Sequence, residues 1–230
     1  MNAALPQPIL PAAPRGLHAV VVGGGTMGAD VAVVLARGGA RVTVTEPQAA
    51  QREALGRRVQ TALADMDIAH RAALVQAVPG LADVAWPDVQ LVVECIPEKL
   101  DLKQALFVQL VQHAPVGAVL TSNSSSFPIS AIAQGLPTQE RMLGLHFFMP
   151  AHLVPLVEVV LGPQTHPDTA DSLSAFMRGC GSVPVLVRKD KPGFLANRLQ
   201  HALSREAFAM IDEGVATPED VDAAVRFGFG

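Results

Sequence analysis

The sequence predicts an α/β protein: a doubly wound domain over residues 17–187, followed by the beginning of an all-helical C-terminal domain over residues 188–230. Three observations predict it. Short apolar runs alternate with amphipathic stretches as far as Val187. The first apolar run passes through a glycine cluster into a helical pattern. After Arg188 the strand-like runs stop and only helical patterns remain. The 230 residues suffice for one large domain or one and a part, and half of them are hydrophobic, enough for a full core.

The elements follow in order. Residues 1–16, rich in Pro and Ala, lack the basic start and unbroken apolar core of a signal peptide and read as a flexible extension. Ala19 to Val22 is a buried strand. Gly23, Gly25 and Gly28 come next, spaced G-x-G-x-x-G. Met27, Val31, Val34 and Leu35 form one face of a helix, which Gly38 and Gly39 end. A second strand, Val42 to Thr45, finishes in Glu46. Gly23 allows the tight turn, Gly25 leaves room for a pyrophosphate, and Gly28 lets helix and strand pack closely. The N–H groups at the helix start, those of Thr26, Met27 and Gly28, then face the phosphates. Glu46 lies 18 residues past Gly28, where a carboxylate accepts the ribose hydroxyls of NAD and repels the 2′-phosphate of NADP.

Pro47 to Ala64 reads as a helix with Gln51, Arg52, Arg57 and Arg58 outward, on a solvated face rather than a phosphate site. Val75 to Val78 is one short strand, and Val89 to Cys95 a strong one with Glu94 near its end. IPEKLDLKQALF then enters a helix that runs to about His113. Gly117 to Thr121 is a strand leading into SNSSSFP, residues 122–128. Four hydroxyls and an amide there face the carboxyl edge of the sheet, where ligands bind in open α/β folds. Helix capping at Pro128 needs only one of them. Arg141 to Phe148 is a strand with His146 near its end, and Val154 to Leu161 another, carrying Glu158. Pro167 to Gly179 is helical and Val183 to Val187 is the last strand. Pro192 to Glu213 reads as one long helix. Thr217 caps a further helix that has Pro218 at its first position and acids in its first turn.

A net charge of −4 gives no basis for nucleic acid or an anionic membrane as partner. No apolar run approaches the ~20 residues of a membrane span. Cys95 and Cys180 do not make a disulfide framework; they suggest a reducing, cytoplasmic setting and buried thiols. No pair of histidines has metal-ligand spacing, and His18, His70, His113, His152, His166 and His201 read as structural.

The chain resembles the L-3-hydroxyacyl-CoA dehydrogenase superfamily, which includes L-gulonate 3-dehydrogenase (lambda-crystallin) and L-carnitine dehydrogenase. The likeness covers residues 17 to 230. It rests on GGGTMG at 23–28, VVECIPEKLDLK at 92–103, SNSSS at 122–126, LHFFMP at 145–150, PLVEVV at 155–160 and DKPGFLANRL at 190–199. The resemblance implies an NAD-dependent oxidoreductase that turns an L-3-hydroxyacyl group into its 3-keto form, acting in fatty acid metabolism as a homodimer. By position it implies a catalytic group of Ser125, His146, Glu158 and Asn197. His146 takes the hydroxyl proton, Glu158 holds the imidazole, and Ser125 and Asn197 bond the substrate oxygen. Glu98 and Lys103 match residues lining the cofactor and substrate site. Such chemistry suits these residue types: a base that titrates near neutral pH, a carboxylate to orient it, and donors for developing charge.

Three departures from the family pattern bear on function. Met149 stands where the family carries Asn, so its hydrogen bonds are lost. The Glu46–Glu94 span is short and lacks the helical hairpin that acyl-CoA members use for CoA, which leans toward a small hydroxy acid. The family's helical domain also runs beyond Gly230, so the dimer-forming helices are largely absent and the domain reads as truncated. The alternatives are therefore a CoA-independent 3-hydroxy acid dehydrogenase and a non-catalytic NAD-binding protein.

Overall fold

In the computed structural model, which describes residues 9–230, eight strands form one sheet. They are β1 (His18–Val22), β2 (Arg41–Thr45), β3 (Val75–Val78), β4 (Val89–Glu94), β5 (Val119–Ser122), β6 (Met142–Phe147), β7 (Leu156–Leu161) and β8 (Val183–Val187). The helices are α1 (Thr26–Gly38), α2 (Ala49–Ala64), α3 (Leu100–His113), α4 (Ile129–Ile132), α5 (Pro167–Gly179), α6 (Ala196–Asp212) and α7 (Pro218–Gly228). The spatial order is β3-β2-β1-β4-β5-β6-β7-β8, parallel throughout except for the antiparallel pair β6 and β7. The chain winds outward from β1 through β2 to β3, then returns to lay β4 on the other side of β1. That reversal opens a crevice at the carboxyl ends of β1 and β4.

Strand β1 is apolar along its length because helices cover both faces. Val21 packs with Val33, Leu35, Leu63 and Phe176 in one core, whereas its neighbour Val20 packs with Phe107, Leu110 and Ile132 in the other. Every residue of α1 from Gly28 to Ala36 is buried, and Gly39 ends the helix in the left-handed region at φ 96°.

Three expectations need correction. Residues 9–16 are not loose. Leu10 is 4% exposed and its N–H donates to Ser172 Oγ at 3.2 Å. Pro14 fills space left by Gly38 and Gly179, where an added Cβ would come within 3.0 Å of its ring. Residues 1–8 of that extension lie outside the described residues. The long helix expected from Pro192 begins only at Ala196, because Gly193 (φ 77°) and Phe194 (φ 45°) adopt left-handed backbone that α-helix excludes. Finally, β6 stops at Phe147 and β7 starts at Leu156, one and two residues inside the expected bounds.

Contacts divide the chain into two compact units, the first ending at Pro192 and the second spanning Gly193–Gly230. Asp190 Oδ2 accepts from the Ser130 N–H at 2.9 Å, which keeps the segment after β8 with the first unit. In the second unit Thr217 Oγ1 accepts from the Asp220 N–H at 3.2 Å, the expected cap of α7.

Candidate active site

The glycine cluster sits at the carboxyl end of β1. Gly23 has φ 106°, and a Cβ there would lie 2.7 Å from Cys95 O. A Cβ on Gly28 would lie 1.8 Å from Gly23 O. The protein's own packing therefore demands both glycines. Gly25 is different: it is exposed, and a Cβ there would meet no protein atom within 4 Å. What a side chain at Gly25 would obstruct is the space in front of α1. No side chain caps that end of α1, so its first N–H groups are available to an anion. A cavity of about 220 Å³ opens there, lined by Gly24, Gly25, Thr26, Gln51 and Arg58 among others.

Glu46, 8% exposed, follows β2 and reaches back to this loop. Its Oε2 accepts from the Gly24 N–H at 3.1 Å and its Oε1 from the Gln48 N–H at 3.0 Å. A carboxylate offers about four acceptor positions, so two remain for other donors. The carboxylate is thus oriented beside the anion-binding helix start, as a bound dinucleotide requires.

Past β4, a buried network ties the strand ends together. Glu94, fully buried, accepts from Lys103 Nζ at 2.7 Å, from the Ile96 N–H at 2.8 Å and from the Ser122 hydroxyl. The same ammonium lies 3.1 Å from Glu98. Glu98 Oε1 in turn accepts from Ser124 Oγ at 2.6 Å and from the N–H groups of Ser125 and Ser126 at 3.1 and 2.9 Å. Burial pushes the Glu98 carboxyl upward. The hydrogen bonds from Ser124 and Ser126 and the Lys103 charge outweigh that effect and hold it below the ordinary carboxylate range. Glu98 therefore stays ionised and shapes the serine loop around itself.

At the end of β6, His146 faces Glu158 across the antiparallel pair with β7. His146 Nδ1 lies 2.8 Å from Glu158 Oε2, with the two side chains 5% and 0% exposed. The imidazole ring packs edge-on to Phe148, with centroids 4.5 Å apart. The Phe147 N–H donates to Asn123 Oδ1 at 2.9 Å, which ties the end of β6 to the serine loop after β5. A buried imidazole oriented by a carboxylate on Nδ1 is equipped to exchange a proton at Nε2.

Two family descriptions match this chain in succession. "3-Hydroxyacyl-CoA dehydrogenase, NAD binding domain" matches residues 18–191, and "3-hydroxyacyl-CoA dehydrogenase, C-terminal domain" matches residues 193–230. The chain belongs to the 3-hydroxyacyl-CoA dehydrogenase family. The glycine loop and Glu46 lie within the residues that match the NAD-binding domain. The chain is 34% identical over 215 residues to the 5-formyl-3-hydroxy-2-methylpyridine 4-carboxylate 5-dehydrogenase of Mesorhizobium japonicum, covering 91% of this chain and 70% of that protein. It is 37% identical over 221 residues to the 3-hydroxyadipyl-CoA dehydrogenase of Escherichia coli, covering 91% of this chain and 46% of that one. The solved structure of 3-hydroxybutyryl-CoA dehydrogenase from Escherichia coli aligns with a TM-score of 0.86 at 34% identity, over 94% of this chain and 47% of that chain.

This member of the 3-hydroxyacyl-CoA dehydrogenase family brings Gly23, Gly25, Thr26, Met27, Gly28 and Glu46 to one crevice edge. Ser125 is exposed on the loop after β5, beside the strand that carries His146. Asn197 lies in the first turn of α6, in the second unit. Met149 is 64% exposed just beyond β6. Lys103 is 1% exposed and held by Glu94 and Glu98. This long side chain on α3 turns inward because the carboxylate that ends β4 and the Glu98 carboxylate of the following loop meet it there. Sequence reasoning gave no role to Glu94 or Asp30, and placed Ser122 and Asn123 only among the polar groups at the sheet's carboxyl edge. An acid closing the apolar run VQLVVE, and another inside the apolar helix ADVAVVLA, were the available signals.

Burial pushes the Cys95 thiol upward and the Cys180 thiol up to about 12, so neither is a reactive thiolate. Among the described residues, no group of three or more His, Cys, Asp or Glu side chains is placed to hold a metal ion. No described helix is long and apolar enough to cross a membrane.

Proposed function

We propose that the protein oxidises the 3-hydroxyl of an L-3-hydroxyacyl group or L-3-hydroxy acid to the ketone, as a cytoplasmic enzyme that pairs with a second copy. The buried His146–Glu158 pair carries this reading. Bound NAD supplies the acceptor for the hydrogen on C3. His146 takes the hydroxyl proton at Nε2, since Nδ1 is engaged by Glu158 and the Nδ1–H tautomer leaves Nε2 as the accepting nitrogen. Glu158 holds the ring and stabilises its charged form. Ser125 and Asn197 donate to the substrate oxygen as charge develops on it. Glu98 borders the cofactor site, and Lys103 acts through Glu98 and Glu94 rather than by touching a ligand.

The distribution of cations favours the CoA-independent form of this reading. Lys103 is buried between two acids. Arg58 is paired with Asp30 at 2.7 Å. Arg52 donates to Glu46 O and Pro47 O at 2.7 and 2.8 Å. Arg57, 74% exposed, is left with Glu53 at 4.0 Å. Together they leave little charge to hold the phosphates of a CoA carrier.

The experiment is an NAD-linked assay of 3-hydroxybutyryl-CoA against free L-3-hydroxybutyrate, with gulonate and carnitine beside them. We expect kcat/KM for the acyl-CoA to be no more than about tenfold above that of the free acid, about 1.4 kcal/mol of transition-state binding. A preference of roughly a thousandfold, about 4 kcal/mol, overturns the CoA-independent form and establishes acyl-CoA as the substrate. No NAD-dependent turnover of any of them overturns the assignment as a whole.

A further inference from the structure

The geometry points to Asp30 as a positioning residue for the reaction: it fixes the segment that follows β6 onto α1, the helix whose N-terminus faces the dinucleotide. Asp30 is fully buried in the middle of α1, between core residues Ala29 and Val31. A carboxylate in such a place is costly unless partners meet it. Arg58 meets it from α2, with Nε and Nη2 both 2.7 Å from Oδ1. The segment after β6 meets it too. The Ala151 N–H donates to Oδ2 at 3.2 Å, and His152 Nδ1 stands 3.3 Å from Oδ1.

A second tether comes from the same helix. Arg37 Nη1–H donates to His152 O at 3.2 Å, while its Nε–H donates to Cys180 O at 2.8 Å. Asp30 and Arg37 are two turns apart and share one face of α1. Side chains of α1 therefore hold the N–H of Ala151 and the C=O of His152, the two ends of one dipeptide.

Just upstream of that dipeptide, Met149 and Pro150 lead back to Phe148, whose ring packs against His146. The position of Ala151 and His152 thus sets the wall beside the imidazole. The other end of α1 is the Gly25 anion site. One rigid helix carries both the cofactor-facing N–H groups and the tether of the base's neighbour. Hydrogen transfer is sensitive to displacements of a fraction of an ångström between reacting groups, so releasing this tether lowers turnover although Asp30 touches no reacting atom.

This inference rests on the reading of His146 as base, and its test separates the two. Asp30→Ala removes the acceptor for the Ala151 N–H. Asp30→Asn keeps an acceptor in the same place. In both, Arg58 can turn to water, since 40% of its side chain is already exposed. We expect Asp30→Ala to lower kcat about tenfold or more and leave the NAD Kd within about twofold, with Asp30→Asn recovering most of the loss. Arg37→Gln cuts the His152 tether from a half-buried position. It should lower kcat in the same direction at unchanged NAD Kd, and it serves if Asp30→Ala does not fold.

A folded Asp30→Ala with unchanged kcat overturns the proposal. So does an NAD affinity that falls in step with kcat, or an Asn variant no better than Ala. An unfolded Asp30→Ala beside a fully active Arg37→Gln overturns it as well. His146→Ala, measured in the same series, distinguishes the failures. Near-normal turnover there removes the base assignment, whereas an inactive His146→Ala beside a fully active Asp30→Ala removes only the tether.

Discussion

Replacing His146 with Ala should lower turnover by about 10²–10⁴-fold while leaving NAD affinity nearly unchanged. The split between the two readouts follows from placement. His146 lies near the end of β6, whereas the glycine loop and Glu46 follow β1 and β2, on the other side of β4 and β5. Losing the imidazole removes a proton acceptor without disturbing the anion site at α1. Glu158→Gln should act in the same direction and less strongly, by roughly one to two orders of magnitude. The amide keeps an acceptor opposite Nδ1 but no longer offsets the charge that the ring gains. Because the pair is buried, little water is at hand to replace that charge. Steady-state kinetics with NADH production as the signal, beside an NAD titration of each variant, checks both. A His146→Ala enzyme with near-normal turnover refutes the assignment.

The next largest effect concerns cofactor choice. NAD should bind better than NADP by at least about tenfold, ~1.4 kcal/mol. Two carboxylate positions of Glu46 are taken by the Gly24 and Gln48 N–H groups, and two remain to accept from the ribose hydroxyls in the role we propose for it. A 2′-phosphate there would meet a like charge in a site 8% exposed, where water screens poorly. Glu46→Ala should narrow the gap from both sides. It removes the repulsion that NADP would meet, and it removes the acceptor that the ribose hydroxyls of NAD would use. Fluorescence titration of both cofactors settles it; equal affinities in the unmutated protein would remove Glu46 from this role.

How much of this could be read from the sequence differs by element. The βαβ start was fully legible, because Gly23, Gly25 and Gly28 do chemistry that depends on their lacking a Cβ and their spacing is local. The strands of the buried sheet were legible as apolar runs, and even the short β3 was visible. The partner of His146 was not readable from periodicity. His146 and Glu158 meet only through the register of β6 and β7, which no local pattern states, and it was the family resemblance that joined them.

The resemblance placed Lys103 beside the site, but its burial between Glu94 and Glu98 depends on the fold and is stated by no local pattern. Residues 9–16 were misread because Pro and Ala suggest a loose tail. What holds them is a fit between Pro14 and the bare backbones of Gly38 and Gly179, far away in sequence. Phe194 and Leu195 continued a helical apolar pattern, and only the backbone at Gly193 and Phe194 delays the start of α6. Asp30 had the plainest signal and the least obvious meaning: a lone acid in an apolar helix marks a partner elsewhere in the chain, not which one.

One measurement tests the central claim most directly. L-3-hydroxybutyrate carrying deuterium at C3 is offered, as free acid and as CoA ester, with NAD, and the recovered dinucleotide is analysed by mass spectrometry over a single turnover. The account predicts deuterium in the reduced dinucleotide, formed by the unmodified protein and slowed by about 10²-fold or more in His146→Ala. Deuterium lost to solvent, or labelled dinucleotide formed equally fast without the imidazole, would contradict it.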